Sequence, residues 1–365
     1  MPARLQRRSP ALRAEADRGD GQGNSADAGD LDAAVVYGLN VSSLPARVFV
    51  TGASGFIGRR ICDRYRAAGV EVRGVDVQSA PELGVMAGDI AEPGDWQQRV
   101  AGCELVIHTA ALVSMTTGMD RFWRVNTLGT RRVLDAAVAA DVERFVHFSS
   151  VTVFGFDFPD GVDETYPVRL TGVPYVDTKI AGEQVVLQAH GAGEIGCTII
   201  RPGDVYGPGS RPWTIIPVTQ LRAARALLPA RGRGVFSPIF AENLVDGVVL
   251  AAAAGRAAGE VLTLTDGVGV ETREFFGRYA RMLGKNRVPA APSPFVVVAA
   301  DAVALVARLR GQESEINGNA VRYLSRTGTY SIEKARGLIG YEPRIDLDEG
   351  MRLTQAWLQQ EKLLS

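Results

Sequence analysis

The chain has 365 residues, of which 46% are hydrophobic and 22% charged, and its formal net charge is −1. This size and balance predict a soluble globular protein of one large or two modest domains. A near-zero charge offers no general attraction for nucleic acid, so we exclude that class of partner. The three cysteines lie far apart without metal-ligand spacing, which predicts reduced thiols in a cytoplasmic protein and no metal site.

Residues 1–45 differ in composition from the rest of the chain. Arginines come first, followed by Gly, Asp, Asn, Ser and Ala without hydrophobic periodicity, which predicts a disordered tail or a translation start assigned too far upstream. Arg7 and Arg8 superficially resemble a twin-arginine export signal. No apolar run of adequate length follows them, so we expect no export.

A short strand that runs into three glycines is the most informative motif of the chain. Residues 48–58 read Val-Phe-Val-Thr-Gly-Ala-Ser-Gly-Phe-Ile-Gly. Gly52, Gly55 and Gly58 permit a tight turn and a close approach to a pyrophosphate. A helix predicted over 56–68 would add free N–H groups and a positive dipole end. The motif therefore predicts a dinucleotide site.

Asp76 ends the next predicted strand, residues 70–76. A carboxylate at this position accepts hydrogen bonds from the adenine-ribose diol and repels a 2′-phosphate. The predicted cofactor is therefore NAD(H) rather than NADP(H).

Strands and helices alternate from Arg47 to about Arg201, which predicts an α/β fold with a Rossmann-type doubly wound parallel sheet. The clearest predicted strands are 47–51, 71–76, 104–108, 144–149 and 197–201, and a long helix is predicted over 120–140. Such a sheet places the ligand cleft at the carboxyl ends of its strands. We expect an NAD-binding domain at 46–205 and a smaller C-terminal substrate-binding lobe at 206–365, with 261–265 able to return to the sheet.

The most apolar segment is Pro294–Arg310. It is shorter than the ~18–20 residues that span a bilayer, and Asp301 interrupts it. Two interpretations stay open. The segment is a helix that covers the cleft or packs in the core, or it is an interfacial helix that rests on a membrane and brings a lipophilic substrate to the cleft.

Tyr175 and Lys179 are spaced to share one face of a helix. A phenol titrates near ~10, so it becomes a useful base at neutral pH only when a fixed positive charge stabilises the phenolate. Lys179 and an oxidised nicotinamide can supply that charge. Tyr175 could then take a hydroxyl proton as hydride leaves the same carbon, or act in reverse on a ketone.

The same spacing recurs at Tyr330 and Lys334, so spacing alone proves little. A serine-bearing strand end stands before the first pair only, at Ser149 and Ser150. A serine hydroxyl at the cleft edge can orient a substrate oxygen between tyrosine and cofactor. The alternative is that the two serines merely end a strand or cap a turn.

Other residues have supporting roles. Asp89 and Ile90 could meet the adenine ring, although Asp89 could equally be a turn acid, and residues 108–111 would lie along the cofactor, with His108 structural. Asn126 could hold a water that relays protons to Lys179, or it could occupy a plain surface or bend position. Residues 201–209 should line the nicotinamide end.

In order and spacing these motifs resemble those of the extended short-chain dehydrogenase/reductase family, from about Arg47 to the C-terminus. The resemblance implies a catalytic triad of Ser150, Tyr175 and Lys179, with Asn126 a fourth member. Ser150 matches rather than Ser149 because the family's serine stands five residues before the glycine that here is Gly155. Together with the motifs above, it implies NAD as cofactor and a homodimer through two helices of the nucleotide domain. The implied cofactor-binding residues are Gly52, Ser54, Gly55, Phe56, Ile57, Gly58, Asp76, Asp89, Ile90, Thr109, Ala110, Ala111, Tyr175, Lys179, Pro202, Gly203 and Val205.

Within that family the chain is similar to the 3β-hydroxysteroid dehydrogenase group and its sterol-dehydrogenase relatives. The segments that carry this likeness are 206–211, 236–246, 294–310, 330–336 and 340–343. In such relatives the neighbourhood of Tyr330 and Lys334 begins the C-terminal helix and is not catalytic. Phe154 departs from the nucleotide-sugar enzymes, which usually have tyrosine there, but this does not exclude a sugar substrate.

Three functional hypotheses follow from the sequence. The leading one is an NAD-dependent oxidoreductase acting on a ring secondary alcohol of a steroid, sterol or similar lipophilic molecule, or on the ketone in reverse. The second is an NDP-sugar epimerase or dehydratase that reduces and reoxidises bound NAD within one turnover. The third is a non-catalytic NAD-binding protein. The apolar segment 294–310 and the lack of an obvious cluster for a diphosphate favour the first.

Overall fold

The computed structural model describes residues 44–114, 118–310, 314 and 317–364. The tail predicted at 1–45 lies outside the described residues, apart from Leu44 and Pro45. The strands are β1 (Arg47–Thr51), β2 (Glu71–Asp76), β3 (Val85–Ala87), β4 (Leu105–His108), β5 (Arg144–Phe148), β6 (Gly196–Pro202), β7 (Asp204–Tyr206), β8 (Val235–Phe236), β9 (Pro238–Phe240), β10 (Val261–Leu264) and β11 (Val270–Glu271).

The α-helices are α1 (Phe56–Ala67), α2 (Met119–Phe122), α3 (Gly129–Ala139), α4 (Pro174–Gly191), α5 (Ile216–Arg222), α6 (Ala241–Ala253), α7 (Thr272–Met282), α8 (Ser293–Leu309), α9 (Gly318–Leu324), α10 (Glu333–Ile339) and α11 (Leu347–Gln360). Two π-helical turns, Trp123–Leu128 and Arg211–Ile215, precede α3 and α5.

Seven parallel strands form the central sheet, in the order β10-β6-β5-β4-β1-β2-β3. The order changes direction between β1 and β4, and at such a switch point a crevice opens beyond the carboxyl ends of the strands. The predicted Rossmann-type doubly wound sheet is therefore confirmed. β10 pairs with β6 in parallel register, which confirms that 261–265 returns to the sheet.

The helix predicted over 120–140 is interrupted. α2 and α3 are joined by the π-helical turn Trp123–Leu128, which holds one residue more per hydrogen-bonded turn than an α-helix does. The extra residue shifts the buried face: Asn126 and Thr127 are buried, whereas the apolar Leu128 is 49% exposed. A helix predicted from regular spacing does not include such a shift. The turn places the buried Asn126 toward the sheet edge described below.

Alternate residues of the strands pack on opposite faces of the sheet. Val48 and Val50 of β1 pack with Ile61 of α1, whereas Phe49 packs with Val133 of α3 on the other side. A parallel sheet covered by helices on both faces buries every residue of its strands, and the β1 residues Val48–Thr51 are accordingly buried. This double covering leaves the strand ends as the accessible edge.

The C-terminal lobe has a separate aromatic core. Phe236 and Phe275 lie with ring centroids 4.0 Å apart, and Tyr206 and Tyr279 pack edge-on against Phe275. Two small sheets, β8 with β11 and β7 with β9, link this core to the end of β6. The lobe is thus held directly beside the carboxyl edge of the main sheet.

Among the described residues, no helix combines the length and the apolar character needed to cross a membrane. The three cysteines are buried, and none forms a disulfide.

Candidate active site

A cavity of about 1500 Å³ follows the carboxyl edge of the sheet and continues into the C-terminal lobe. Its wall contains every site residue proposed from the sequence except Ser54 and Asn126. The members of that set in the wall are Gly52, Gly55, Phe56, Ile57, Gly58, Asp76, Asp89, Ile90, Thr109, Ala110, Ala111, Ser150, Tyr175, Lys179, Pro202, Gly203 and Val205.

The glycine turn is too crowded for side chains. Gly52 has a φ of +68°, and a Cβ there would lie 2.9 Å from the Ala110 backbone nitrogen. A Cβ on Gly58 would lie 2.1 Å from the Gly52 carbonyl oxygen, far inside van der Waals contact. Gly55, at the start of α1, leaves the first N–H groups of the helix unobstructed. The turn therefore forms a bare backbone cradle at the positive end of a helix.

Asp76 is fixed at the end of β2. One carboxylate oxygen accepts the backbone N–H of Ser54 at 3.0 Å, and the other accepts that of Gln78 at 3.3 Å. The Ser54 hydroxyl donates to the Gln78 carbonyl at 2.9 Å. Ser54, one of the two residues outside the wall, thus holds the loop that orients Asp76.

The wall beyond β3 carries both residues proposed for the adenine side. Ile90 is buried, with 5% of its surface exposed. The Asp89 carboxylate accepts the Ala91 N–H at 2.8 Å and also lies 3.8 Å from the Arg124 guanidinium. Asp89 therefore stabilises a turn and also lies in the cavity wall, while its contact with the adenine ring stays a prediction.

The end of β4 is joined to β1 by side-chain hydrogen bonds. The Thr109 hydroxyl donates to the Thr51 carbonyl at 2.7 Å, and Thr51 Oγ1 accepts the Ala110 N–H at 3.2 Å. His108 lies between Thr51 Oγ1 at 2.7 Å and Thr130 Oγ1 at 2.9 Å. Burial and the nearby Lys179 charge lower the pKa of His108 to about 3, so His108 is a neutral structural residue.

Tyr175 and Lys179 lie one turn apart on α4, whose first residue is Pro174. Proline suits this first position because its missing N–H would have no partner in the helix. Lys179 is 4% exposed, and its Nζ donates to the Phe148 carbonyl at 2.7 Å. Burial lowers the pKa of the Lys179 ammonium to about 8, opposed by the Glu183 carboxylate. At neutral pH the group is therefore positively charged.

Ser150 stands at the end of β5, where its Oγ accepts the Thr152 N–H at 3.2 Å and the Thr152 hydroxyl at 3.0 Å. With both lone pairs occupied, its own hydrogen is left to donate. Burial raises the pKa of Tyr175, and a hydrogen bond from Ser150 opposes this rise. Ser149 also lines the cavity, but its buried Oγ has no partner among the described residues.

Asn126 uses its side chain to hold the loop after β4. Its Oδ1 accepts the Leu112 N–H at 2.8 Å, and its Nδ2 donates to the Leu112 carbonyl and to Thr178 Oγ1, each at 3.2 Å. The Asn126 carbonyl accepts the Thr130 hydroxyl at 2.7 Å. The side chain thus fixes the wall segment that begins at Leu112.

The segment after β6, expected to line the nicotinamide end, is divided in its roles. Pro202, Gly203 and Val205 line the cavity, whereas Arg201 forms a buried two-point ion pair with Glu183 at 2.8 and 2.7 Å. Three of the nine residues of the segment 201–209 therefore contribute to the cavity wall.

Asp204 lies in the same segment but points away from the cavity. Its fully buried carboxylate is held by Arg326 and by the Tyr323 hydroxyl, and it accepts the Ser237 N–H at 2.9 Å. This network joins β7 to α9.

The second tyrosine–lysine pair is not part of the cavity wall. The Tyr330 ring lies 5.1 Å from that of Phe158 and 5.7 Å from that of Phe154. Lys334 pairs with Glu260 at 2.8 Å. Lys334 lies in α10, and α11 follows it, so the expectation that this pair begins the C-terminal helix is wrong by one helix.

Apart from α8, which the sequence analysis places over the cleft, the substrate half of the wall was not identified from the sequence. Its side chains come from four separate segments, and the main members are Trp213, Ile216, Gln220, Leu221, Leu228, Phe276, Val288, Val296, Val321 and Leu324. All but Gln220 are apolar and most lie in helices, where an apolar position is equally typical of a buried core. Two sets of wall positions repeat at helical spacing, 212, 213, 216, 217, 220 and 221 in one and 296, 299, 300 and 303 in the other.

α8 has one face on the cavity and one on the surface. Val296, Ala299, Ala300 and Val303 line the cavity, whereas Phe295 is 72% exposed. The helix therefore covers the cleft, as the first interpretation of the apolar segment had it. Asp301, which interrupts the apolar sequence, accepts the N–H of Gly318 at 3.0 Å and so joins α8 to α9.

The residues of the cofactor half fit NAD. A bare cradle that a Cβ at Gly52 or Gly58 would fill suits a pyrophosphate at the start of α1. Beside it, the Asp76 carboxylate suits a ribose diol.

Comparison with known proteins agrees with this geometry. Residues 48–264 match the NAD dependent epimerase/dehydratase family. The chain is 32% identical over 321 residues to a 4-hydroxy-2-methyl-3-oxo-4-farnesyl-3,4-dihydroquinoline-1-oxide ketoreductase of Stigmatella aurantiaca, with 84% of this chain and 94% of that protein covered. It is 29% identical over 335 residues to a 3-beta-hydroxysteroid dehydrogenase of Mycolicibacterium neoaurum, covering 84% and 89%.

Among solved structures, the chain is similar to MoeE5 in complex with UDP-glucose and NAD. The TM-score is 0.70 at 25% identity, and the alignment covers 87% of this chain and 99% of that one. Together with the family match over more than half of the chain, these likenesses assign the fold and the cofactor. The chain therefore belongs to the NAD dependent epimerase/dehydratase family, the extended short-chain dehydrogenases/reductases, and is an NAD-dependent oxidoreductase.

Proposed function

We propose that this enzyme interconverts a secondary alcohol and a ketone on a lipophilic ring system such as a hydroxysteroid or sterol. The observation that carries the proposal is the apolar substrate half of the cavity, with Trp213, Leu221 and Phe276 in its wall. Removing apolar surface from water stabilises a complex by about 25 cal/mol per Å². The names of the two curated relatives, a farnesyl-dihydroquinoline oxide ketoreductase and a hydroxysteroid dehydrogenase, support the same substrate class.

Tyr175 is the proposed general base of the oxidation. Its phenolate oxygen takes the proton of the substrate hydroxyl, and in the reverse direction the phenol returns that proton to the ketone oxygen. NAD+ supplies the hydride acceptor when bound. With substrate bound, Ser150 turns its single hydrogen from the Tyr175 phenol to the substrate oxygen, because Thr152 occupies both of its lone pairs.

Lys179 is proposed to favour the phenolate and to hold the ribose. Its ammonium is charged at neutral pH, since its pKa lies at about 8. It has three N–H donors, of which one is bonded to Phe148. The other two can donate to ribose hydroxyls.

Asn126 is proposed as a positioning residue, because its side-chain amide bonds the Leu112 backbone from both sides. The water relay from Asn126 to Lys179 stays a prediction. The homodimer, the cytoplasmic location and the membrane contact of α8 also stay predictions.

A substrate panel tests the proposal. The purified protein is given NAD+ with 3β-hydroxysteroids, terpenoid ring alcohols and nucleotide sugars, and NADH absorbance and product are followed. We expect NADH and ketone to accumulate in equal amounts with a ring alcohol. No turnover of any lipophilic alcohol, in either direction, would contradict the substrate class.

A second candidate is an NDP-sugar epimerase or dehydratase. Arg211 and Arg225 line the substrate half of the cavity, and guanidinium groups suit a diphosphate. The solved structure with UDP-glucose bound supports this candidate. It predicts sugar conversion with no net NADH.

Two arginine variants separate the candidates. Under the sugar hypothesis, Arg211→Ala and Arg225→Ala raise KM for the nucleotide sugar about tenfold each, the equivalent of about 1.4 kcal/mol. Under the leading hypothesis, both leave the ring alcohol's KM within about twofold. Arg233→Ala, at an exposed arginine outside the cavity wall, is the matched control.

A further inference from the structure

One stripe of the wall leads away from the cofactor toward the far end of the cavity. Pro212, Trp213, Ile216, Pro217, Gln220 and Leu221 follow each other along the turns of the π-helical segment and α5. A helix rises about 1.5 Å per residue, so Gln220 lies roughly 12 Å along the axis from Pro212. Pro212 follows shortly after Gly203 and Val205, which line the cofactor half of the wall. Gln220, farther along the helix, is therefore at the opposite end of the substrate half.

Gln220 is a polar residue in apolar surroundings. It lies in the wall with Leu221, Leu228 and Phe276, which are 3%, 5% and 5% exposed. Its amide oxygen Oε1 is buried and has no hydrogen-bond partner among the described residues. A buried amide oxygen without a partner costs free energy, which a bound polar group would recover once the amide turns toward it. The last torsion of a glutamine side chain is soft, so the amide can turn either its N–H₂ or its oxygen toward a ligand.

The chain is bent back at this end of the cavity. Ala224 has a φ of +55°, a left-handed conformation that costs an alanine free energy. The turn brings the Arg225 N–H onto the Gln220 carbonyl at 2.9 Å. It also returns residues 225–229 to the wall. The turn thus adds Arg225 to the wall at this end as a second polar side chain.

We propose that Gln220 determines specificity by binding a second oxygen, a hydroxyl or oxo group, at the far end of a rigid lipophilic alcohol. This inference rests on the proposed function, which places the reacting hydroxyl at Ser150 and Tyr175. The preferred substrate then has a polar group at each end and a hydrocarbon body between them. A hydroxyl satisfies the amide in either orientation, because it both donates and accepts.

The test compares two 3β-hydroxysteroids with the same ring system, one with a hydroxyl on the far ring and one with hydrogen there. The wild-type enzyme should show a kcat/KM about tenfold higher for the dihydroxy compound. Gln220→Leu should lower that value about tenfold and leave the monohydroxy compound within about twofold. Gln359→Leu, an exposed glutamine outside the cavity wall, should change neither value.

The monohydroxy compound serves as the folding control within each variant. If Gln220→Leu lowers kcat/KM for both compounds by the same factor, or for neither, the role of Gln220 is overturned and the proposed function stands. If the wild-type enzyme oxidises neither compound nor any other lipophilic alcohol, the proposed function itself fails.

Discussion

The chain contains two tyrosine–lysine pairs with the same spacing, and they lie in opposite surroundings. Tyr175 and Lys179 are in the wall of the cavity, with the ammonium buried and bonded to a strand-end carbonyl. Tyr330 is packed among aromatic rings, and Lys334 forms a partly exposed ion pair with Glu260. Two pairs with the same spacing in the sequence therefore have different surroundings in the structure.

The difference shows that the strand end, rather than the helix, makes the site. β5 supplies both partners of the first pair, since Ser150 bonds the phenol and the Phe148 carbonyl bonds the ammonium. Tyr330 itself forms an isolated bridge with Val162 and does not follow a strand of the main sheet. A phenol gains acid–base function where an open cavity, a donor and a nearby charge coincide.

The largest expected effect is that of Tyr175→Phe. Without the phenol no group takes the substrate proton, so kcat should fall by about 10²–10⁴. NAD affinity, measured by fluorescence titration, should stay within about threefold, because Phe keeps the ring contact with Phe122. A variant that retains more than a tenth of wild-type kcat would remove Tyr175 from the chemistry.

The second largest effect is expected for Ser150→Ala, which again distinguishes the first tyrosine–lysine pair from the second. Losing one hydrogen-bond donor to a substrate oxygen should lower kcat by about 10²-fold. Ser331→Ala is the matched control beside the second pair, where the serine accepts the Glu333 N–H at 3.3 Å. Loss of this single hydrogen bond should cost about 0.5–1 kcal/mol of stability, with kcat unchanged. Equal losses of kcat would show that the serine at β5 has no special role.

A third prediction concerns Lys179 and pH in the protein without NAD. Below about pH 8 the lysine is protonated in both the folded and unfolded states. Between pH 8 and its unfolded value of 10.5, the unfolded state binds the extra proton. The free energy of unfolding of the wild type, minus that of Lys179→Met, should therefore rise with pH by about 1.4 kcal/mol per unit.

Urea denaturation of both proteins from pH 7 to 10.5 measures that difference, and changes common to both proteins cancel. Lys334→Met, which removes a surface ion pair, should cost about 0–1 kcal/mol at neutral pH. If the free energy of unfolding of the wild type minus that of Lys179→Met does not change with pH above pH 8, burial does not lower the Lys179 pKa.

The cofactor half was predictable because its signals are local. Gly52, Gly58 and Asp76 belong to one strand–helix–strand unit, and chain direction places them at one edge of the sheet. Tyr175 and Lys179 lie within one helical turn. For such residues, the pattern in the sequence and the contact in space nearly coincide.

The rest depends on contacts between distant segments. The buried ion pair of Asp204 with Arg326 joins residues 122 positions apart, and the substrate wall draws on four segments. The π-helical turn buries the polar Asn126 and leaves the apolar Leu128 49% exposed, which a regular helical pattern does not predict. Gln220 is an ordinary helical glutamine in the sequence, and only its surroundings make it unusual.

The smallest expected effect is that of Tyr330→Phe. The Tyr330 hydroxyl is buried without a partner among the described residues, and burial raises the pKa of this phenol. Phenylalanine keeps the ring contacts with Phe154 and Phe158 and removes an unsatisfied polar group. Stability in urea should therefore stay the same or rise by about 1 kcal/mol, with kcat within about twofold of wild type. A fall in kcat like that of Tyr175→Phe would mean that the second pair takes part in the chemistry, and the contrast between the two pairs would collapse.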